Sequence, residues 1–191
     1  MSESQISKIF DESIANLSNS KILEKSIEDV IKKIISCFEH GNKIIVFGNG
    51  GSAADSQHFA AEFVGRFLKE RKSLPAIALT TDTSILTALG NDYSFDTIFS
   101  RQCESLVQKN DLVLGISTSG NSINVINGIN AAKNYGAITV GLLGSNGGEL
   151  SNITDMSIIV PSNSTPRIQE SQRVIMHIIC EMVEEHFSNK S

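Results

Sequence analysis

Two short loops combine glycine, asparagine and hydroxyl side chains in the way that anion-binding turns do. Loop 48–52 reads GNGGS and loop 117–122 reads STSGNS, and each follows an apolar run and opens a helical stretch. Glycine lets the backbone approach a ligand closely, and the N–H groups and dipole of a helix start favour a negative charge. Neither loop contains Lys or Arg. We therefore predict a phosphate cradle of amides and hydroxyls, with a plain strand-to-helix turn and a serine-rich helix cap as the structural alternatives.

A histidine and a glutamate follow the first loop at a spacing that brings their side chains together. His58 and Glu62 are four residues apart, so on a helix they share one face. An imidazole and a carboxylate so placed can hold a divalent ion, or they form an ordinary surface pair. Near the C terminus, the sequence RIQE at 167–170 is followed by His177, which is either a site residue or a structural histidine in an interface helix.

The first loop also matches part of a dinucleotide-binding fingerprint. Gly48, Gly50 and Ala53 have the spacing G-x-G-x-x-A. That fingerprint needs an acidic residue about 20 positions further on, at the end of the second strand, to bind a ribose hydroxyl. The second apolar run ends at residues 80–82, too far along the chain, and no P-loop lysine is present. These departures argue against nucleotide binding and against a nucleotide-dependent oxidoreductase.

The elements that must position these residues alternate along the chain. Short apolar runs without polar alternation are typical of strands buried on both faces, and helical stretches separate them. This alternation predicts a parallel sheet covered by helices on both faces, and such sheets bind ligands beyond the carboxyl ends of their strands. The runs are KIIVF at 43–47, PAIALT at 75–80, LVLGIS at 112–117, ITVGLL at 138–143 and SIIV at 157–160; the helical stretches are 52–67, 96–108, 122–135 and 167–187.

The N-terminal region is expected to form two further helices outside this alternation. Ile6, Phe10, Ile14 and Leu17 recur at helical spacing, and a second apolar series ends at Gly41. Their apolar faces need cover from the sheet and from a partner chain, so we predict a homo-oligomer. No linker interrupts the chain, and residues 1–191 are expected to form one domain that includes the helical extension 1–40.

Composition narrows the classes of function. The 191 residues carry a formal net charge of −5, which argues against general nucleic-acid binding. The cysteines, Cys37, Cys103 and Cys180, form no CxxC motif and are expected to be reduced packing residues. The N terminus lacks the pattern of a signal peptide, and no apolar run has the ~18 residues of a membrane span. These features predict a cytoplasmic protein that binds neither a nucleic acid nor a membrane.

Taken in order, the motifs resemble the sugar isomerase (SIS) domain family, and within it the phosphoheptose isomerases. The resemblance rests on the glycine loop with His58 and Glu62, on GND at 90–92, on GISTSGNS at 115–122, and on RIQE with His177, and it runs over nearly the whole chain. It implies a flavodoxin-like three-layer fold with a five-stranded parallel sheet and N-terminal helices used in oligomerisation. It also implies a homotetramer with active sites between protomers.

The resemblance implies a reaction and the residues that perform it. The expected reaction converts D-sedoheptulose 7-phosphate to D-glycero-D-manno-heptose 7-phosphate by enediol proton transfer, the first step of ADP- or GDP-heptose synthesis for lipopolysaccharide or capsule. Glu62 and His177 match the catalytic acid/base pair, and His58, Glu62, Gln169 and His177 match ligands of one Zn²⁺ per subunit. The residues expected to contact the substrate are Asn49, Gly50, Gly51, Ser52, Glu62, Asn91, Asp92, Ser117, Thr118, Ser119, Ser122 and Gln169.

Two positions depart from the family pattern, and one branch of the family is not catalytic. Pro166 stands where some members carry Asp, and Gln172 stands where some carry His. In a branch that includes a DnaA-associating regulatory protein the acid/base positions are replaced. A non-catalytic module that binds phosphosugars or a protein partner is therefore the alternative function. Glu62 and His177 are both present here, which favours the enzyme.

Gln169 and His177 pose a geometric problem as ligands of one ion. On one continuous helix they would lie about 12 Å apart along the axis and about 80° apart in direction. We therefore expect either that the last helix begins after Gln169, or that the two ligands of a given site come from different chains.

Overall fold

The computed structural model describes residues 3–188 and contains a sheet of five parallel strands in the order β2-β1-β3-β4-β5. This is the flavodoxin-like order, and the predicted α/β fold class is confirmed. The strands are β1 (Ile44–Gly48), β2 (Ala76–Ala78), β3 (Leu112–Ser117), β4 (Ile138–Gly144) and β5 (Met156–Val160). The helices are α1 (Glu3–Asn19), α2 (Glu24–Glu39), α3 (Gly51–Val64), α4 (Thr83–Asp92), α5 (Ser100–Leu106), α6 (Ile123–Asn134), α7 (Leu150–Ile153) and α8 (Thr165–Ser188), and short 3-10 turns cover Ser20–Leu23 and Phe95–Thr97.

Both faces of the sheet are buried, as the unbroken apolar runs predict. Ile44 and Val46 of β1 pack in the core that α2, α3 and α8 cover, whereas Ile45 and Phe47 pack in the core under α5 and α6. Phe47 stacks on Phe99 with their ring centroids 4.8 Å apart. Such dense packing on both sides holds the sheet rigid, so the loops that leave its carboxyl edge start from fixed points.

The chain changes direction across the sheet between β1 and β3. From β1 it crosses to β2 on one side, and from β3 it crosses to β4 on the other. Gly48 of β1 pairs in register with Ile116 of β3, so the loops that follow these two strands begin side by side. Open parallel sheets bind ligands at this kind of switch point. Loops 48–52 and 117–122 therefore flank one crevice.

Helix α8 is 24 residues long and packs against α1, α2 and α3. Pro166 lies in its first turn, where the N–H that proline lacks is not needed by the helix. Gln172 is buried in its middle, and its Nε2 donates to the Leu142 carbonyl of β4 at 3.0 Å. Its Oε1 has no hydrogen-bond partner among the described residues.

The helices and strands differ from the predicted ones in a few places. The stretch 96–108 was expected as one helix, but a 3-10 turn ends at Thr97 before α5 begins. Helix α4 was not predicted. It is capped by Asp82, whose carboxylate accepts from the Ile85 N–H at 2.9 Å, and none of its residues is buried. Leu86 and Leu89 pack only partly on the core, so α4 gives a weak apolar stripe for a sequence to reveal.

The N-terminal helices leave an apolar groove against α8. Side chains of α1, α2 and α8, among them Ile14, Ile31, Val174 and Ile178, line about 1000 Å³ of open space. Phe10 is 65% exposed and Ile14 is 61% exposed, so the predicted apolar stripe of α1 faces outward over much of its length. Within residues 3–188, none of the helices is long and apolar enough to span a membrane.

Candidate active site

The glycine loop is a sharp turn that needs glycine at several of its positions. Gly50 has φ +56°, a conformation that side chains with a Cβ rarely adopt. A Cβ on Gly48 would lie 2.7 Å from the Ile116 carbonyl oxygen and from the Ser52 Cβ, so any larger residue would push β1 and β3 apart. The turn closes through the Ser52 N–H, which donates to the Asn49 carbonyl at 3.0 Å. The loop thus presents backbone at the start of α3, as a strand-to-helix anion site requires.

The serine loop is held in shape by its own hydroxyls. Ser117 Oγ accepts from the Gly120 N–H at 3.1 Å and lies 3.3 Å from Ser122 Oγ. Ser119 Oγ accepts from the Asn121 N–H at 3.2 Å. Ser117 is buried, whereas Ser119 is exposed at the loop's tip. The loop is therefore ordered before any ligand arrives, with free donors left at its outer positions.

A third loop, 144–148 (GSNGG), packs against the serine loop and was not singled out from the sequence. Gly120 has φ +69° and its Cα touches the carbonyl of Gly147 so closely that a Cβ would overlap it. The Leu150 N–H donates to the Gly120 carbonyl at 3.0 Å, and the Glu149 N–H donates to Asn121 Oδ1 at 2.9 Å. The glycines at 147 and 148 were the signal that the sequence offered for this support.

Helices α3 and α8 run side by side in the same direction and bring the remaining candidate residues together. A Cβ on Gly51 would lie 2.6 Å from Gln169 Nε2, so the Gln169 side chain covers the start of α3. One turn later the buried carboxylate of Asp55 pairs with Arg173. One turn further, His58 meets His177. Contacts between α3 and α8 therefore recur about once per helical turn. The sequence of neither helix reveals this pairing by itself.

Three of the four predicted catalytic and metal-binding residues, His58, Glu62 and His177, converge at the third contact between α3 and α8. His58 Nε2 lies 3.1 Å from His177 Nε2 and 3.1 Å from Glu62 Oε1. The His177 ring also packs on Phe67 at 5.5 Å between centroids. Glu62 and His177 are thus linked through His58, although 115 residues separate them in sequence.

The surroundings of His177 disfavour the doubly protonated, charged form of its ring. Burial lowers the pKa of His177, and the electrostatic influence of His58 and of the Arg173 guanidinium lowers it further, against the opposite influence of Glu62 and Asp55. At neutral pH this imidazole is therefore uncharged and has a lone pair to offer as a base or a ligand.

The row Glu62–His58–His177 suits a divalent ion in its donor chemistry. Among residues 3–188, no group of three or more His, Cys, Asp and Glu side chains is arranged, as the structure places them, so that it could hold a metal ion. Donors on one tetrahedral Zn²⁺ lie about 3.3 Å apart, close to the two 3.1 Å separations in this row. A single proton on His58 Nε2 satisfies only one of its two neighbours, whereas a cation accepts lone pairs from all three side chains. The chemistry of these three donors therefore suits Zn²⁺, and the predicted metal stays a prediction.

Gln169 does not join that row within one chain. Helix α8 is unbroken from Thr165 to Ser188, so the expectation that it begins after Gln169 is wrong. The helix begins before Gln169, at Thr165, because Pro166 is tolerated in its first turn. Gln169 lies beside Gly51, two helical turns before His177 along α8. What stays as a prediction is that a site using both residues takes them from different chains.

Asn91, Asp92 and Asn49 occupy different surroundings. Asn91 and Asp92 are exposed at the end of α4, where Asn91 Nδ2 donates to Asp92 Oδ1 at 2.8 Å. Asn49 instead pairs across the crevice with Asn124, a buried residue that sequence reasoning missed. An asparagine in the first turn of a helix looks like a capping residue in a sequence, so nothing marked Asn124 as part of the site.

Comparison with known proteins agrees with this geometry. The family model described as "SIS domain" matches residues 10–144. A phosphoheptose isomerase from Aquifex aeolicus is 53% identical over 188 residues, which cover 98% of each chain, and one from Geobacter metallireducens is 58% identical over 151 residues, 79% of this chain and 80% of its own.

Solved structures give the same result. The phosphoheptose isomerase of Neisseria gonorrhoeae superimposes with a TM-score of 0.91 at 40% identity, covering 96% of this chain and 98% of its own. That of Francisella tularensis gives a TM-score of 0.93 at 35% identity, covering 97% of this chain and 100% of its own. With its switch-point loops and its Glu62–His58–His177 row, this chain belongs to the phosphoheptose isomerase family of SIS domain proteins.

Proposed function

We propose that the protein is an aldose–ketose isomerase that converts D-sedoheptulose 7-phosphate to D-glycero-D-manno-heptose 7-phosphate. The observation that carries this proposal is the convergence of Glu62, His58 and His177 beside two cation-free loops at the switch point of the sheet. The product would feed the synthesis of ADP- or GDP-heptose for lipopolysaccharide or capsule. The relatives of known name that span nearly the whole chain support the same substrate.

The reaction is a pair of proton transfers that a carboxylate and an imidazole can perform. A base removes a proton from C1 of the ketose while the C2 oxygen gains one, which gives the enediol. A proton then returns at C2 and the C1 hydroxyl loses its own, which leaves the aldose. We assign transfer at the carbons to Glu62 and transfer at the oxygens to His177, whose lowered pKa leaves it neutral and able to exchange a proton at pH 7.

The phosphate end of the substrate is assigned to the serine loop. Ser117, Thr118, Ser119 and Ser122 offer hydroxyls at the start of α6, where backbone N–H groups and the helix dipole complement a dianion. Binding the phosphate there fixes the register of the sugar, so that C1 and C2 reach the other end of the site. Asn49, Gly50, Gly51 and Ser52 would line the path between, and Asn91 and Asp92 keep their predicted substrate contacts.

We propose that one Zn²⁺ per subunit binds at the row, held by His58, Glu62 and His177. When bound, the ion would polarise the sugar carbonyl as a Lewis acid. Gln169 of the same chain lies beside Gly51, so a fourth ligand of this type would come from another protomer. Metal analysis of the purified protein, before and after chelation, tests the proposal, and a metal-free active enzyme would refute it.

We propose further that the protein is a cytoplasmic homotetramer. The groove between α1, α2 and α8 is apolar and open, and a second copy with the same exposed stripe is the occupant that would bury it. The cytoplasmic assignment is supported by the substrate, because charged sugar phosphates do not cross membranes unaided. Three buried free thiols also suit a reducing compartment.

The decisive experiment is an assay with D-sedoheptulose 7-phosphate on the wild type, Glu62→Gln and His177→Ala. We expect turnover in the wild type and a loss of 10²–10⁴-fold in kcat in each variant, the usual contribution of a positioned acid or base. Wild-type protein that binds the sugar phosphate without converting it would instead establish the alternative, a non-catalytic phosphosugar-binding or DnaA-associating regulatory protein. Activity retained in either variant would remove that residue from the mechanism.

A further inference from the structure

Two asparagine side chains join the glycine loop to the helix that follows the serine loop. Asn49 Nδ2 donates to Asn124 Oδ1 at 2.8 Å, and Asn124 Nδ2 donates to Asn49 Oδ1 at 2.9 Å. The two primary amides therefore meet face to face with both hydrogen bonds made. A paired contact of this kind fixes both the distance between the groups and their relative orientation.

The pair bridges the crevice at the switch point. Asn49 follows β1, and Asn124 lies in the first turn of α6, directly after the serine loop that follows β3. Asn124 is only 3% exposed, so its amide is held in place by the surrounding core. Each amide keeps one further N–H and one further oxygen lone pair, and Asn49 is the member nearer the open crevice.

The glycine loop and the serine loop need a contact that fixes their positions, because neither loop contains a cationic side chain. A lysine or arginine would draw a loop toward a phosphate from several ångströms away. Amides and hydroxyls act only at hydrogen-bond distance and in the right direction, so their positions must be set before the ligand binds. The serine loop is set by the hydrogen bond between Ser117 and Gly120, and the hydrogen bonds between Asn49 and Asn124 join the glycine loop to the helix that follows the serine loop.

We propose that Asn124 is a positioning residue that holds Asn49, and with it the glycine loop, at a fixed distance from the serine loop. Asn124 does not touch the substrate and acts through Asn49. The two loops then bind the phosphosugar as one rigid unit. The distance between the serine loop, which binds the phosphate, and the glycine loop, which lines the path of the sugar, stays constant. This inference rests on the proposed isomerase function for its substrate.

The test is a double-mutant cycle on Asn49→Ala, Asn124→Ala and the double variant, with KM and kcat for D-sedoheptulose 7-phosphate and the thermal midpoint as readouts. Removing the pair costs two hydrogen bonds of the cradle, so we expect KM to rise about tenfold in Asn124→Ala, with kcat changed by less than about threefold. In the Asn49→Ala background, Asn124→Ala should add no further rise in KM, because the two residues act as one unit.

Asn127→Ala is the matched control, because Asn127 lies one turn later on α6 and donates to the Asp96 carbonyl at 3.0 Å, away from the crevice. It should leave KM unchanged. The conservative variant Asn124→Asp keeps the hydrogen bond from Asn49 and loses the return bond, and its KM should rise at least as much as that of Asn124→Ala, since it places a carboxylate oxygen against the Asn49 oxygen.

Three outcomes would overturn the inference: an unchanged KM in Asn124→Ala, an equal rise in KM with and without Asn49, or a KM that rises in Asn127→Ala as well. If the wild type shows no turnover, the proposed function fails, but the positioning role of Asn124 can still be tested. Inorganic phosphate is then titrated against the thermal midpoint, and Asn124→Ala should weaken its binding about tenfold whereas Asn127→Ala should not.

Discussion

Behind the candidate site, one buried carboxylate organises the segment that follows Glu62. Glu184 of α8 accepts from the backbone N–H groups of Phe67, Leu68 and Lys69 at 2.7, 2.5 and 2.8 Å. It also pairs with Arg71 at 3.5 Å, and the two side chains are only 2% and 1% exposed. The same segment carries the Phe67 ring that packs on His177. The ion pair of Glu184 with Arg71 therefore helps to position the segment that carries Phe67 beside the site.

Arg71 extends this arrangement to the end of α3. Its guanidinium donates to the carbonyls of Glu62 at 2.6 Å and of Phe63 at 2.8 Å, capping carbonyls that the helix end leaves unpaired. Burial tends to raise the pKa of Glu184, but the hydrogen bonds from Leu68, Phe67 and Lys69 and the charge of Arg71 together hold it below its usual value. The carboxylate is thus charged and fully used at neutral pH.

We expect Glu184→Gln to destabilise the fold by about 3 kcal/mol at pH 7, because it leaves the buried Arg71 charge uncompensated and removes acceptors from the backbone amides. Glu181→Gln, an exposed position on the same helix, is the control and should change little. Denaturant unfolding of both variants measures the difference.

The pH dependence of that destabilisation follows from the lowered pKa. The stabilisation that Glu184 contributes is fully present above the ordinary glutamate pKa of 4.5 and is lost as the pH falls through its lowered value in the folded protein. The gap between wild type and Glu184→Gln should therefore be constant from pH 5 upward and close at lower pH. A gap that stays open in acid would contradict the role assigned to the carboxylate.

Local spacing predicted the pairing of His58 with Glu62, and the structure places His58 Nε2 3.1 Å from Glu62 Oε1. The arrival of His177 beside them could be predicted only through the family resemblance, since it depends on how α8 lies along α3. Asn124 and Glu184 were missed for a related reason. Their partners are loop residues or backbone amides far away in sequence, and no local pattern records such contacts.

At the scale of whole elements, glycines set how closely three loops approach one another. The Gly120 Cα lies against the Gly147 carbonyl, so the serine loop and loop 144–148 form one layer. Gly120 is also in the left-handed region, with φ +69°. The serine loop thus owes its position to a loop that comes two elements later in the chain.

We expect Gly120→Ala to impair both folding and substrate binding, because the new Cβ overlaps backbone atoms that have no room to move and the residue is strained by 1–2 kcal/mol in addition. The matched variant is Gly90→Ala on α4, where a Cβ meets nothing within 4 Å. There alanine should raise stability by up to about 1 kcal/mol, as in other exposed helix positions. Thermal unfolding and KM of both variants give the comparison, and equal behaviour would exclude the steric argument.

The elements that the sequence predicted well are those with buried, continuous patterns. The run 112–117 was predicted as a strand and is β3, and the stretch 167–187 is nearly the whole of α8. Helix α4 and loop 144–148 escaped prediction because the first buries none of its residues and the second is defined by contacts with another loop. Hydrophobic periodicity reports burial on the core, and these parts have little of it.

At the scale of the whole molecule, the exposed apolar stripe of α1 predicts association. Phe10 and Ile14 are more than half exposed, and Ile14 lines the groove between α1, α2 and α8. We expect light scattering on the eluting protein to give four times the 20.7 kDa chain mass, and Ile14→Glu to give a smaller species, because a charge in a buried apolar interface is costly. Tyr135→Glu should leave the mass unchanged, because Tyr135 directly follows α6, the helix that covers the opposite face of the sheet.

Assembly and metal binding should be coupled through Gln169. Within one chain this residue lies beside Gly51, two turns of α8 away from the row of His58, Glu62 and His177. If a partner supplies it to the row, Gln169→Ala weakens Zn²⁺ binding in the assembled protein and has no further effect in the dissociated Ile14→Glu variant. Competition titrations with a chromophoric chelator on the four proteins of this cycle measure the coupling. Equal weakening by Gln169→Ala in both backgrounds would mean that each chain binds its ion alone, and that α8 must break in the metal-bound state, because a straight helix keeps Gln169 about 12 Å from His177 along its axis.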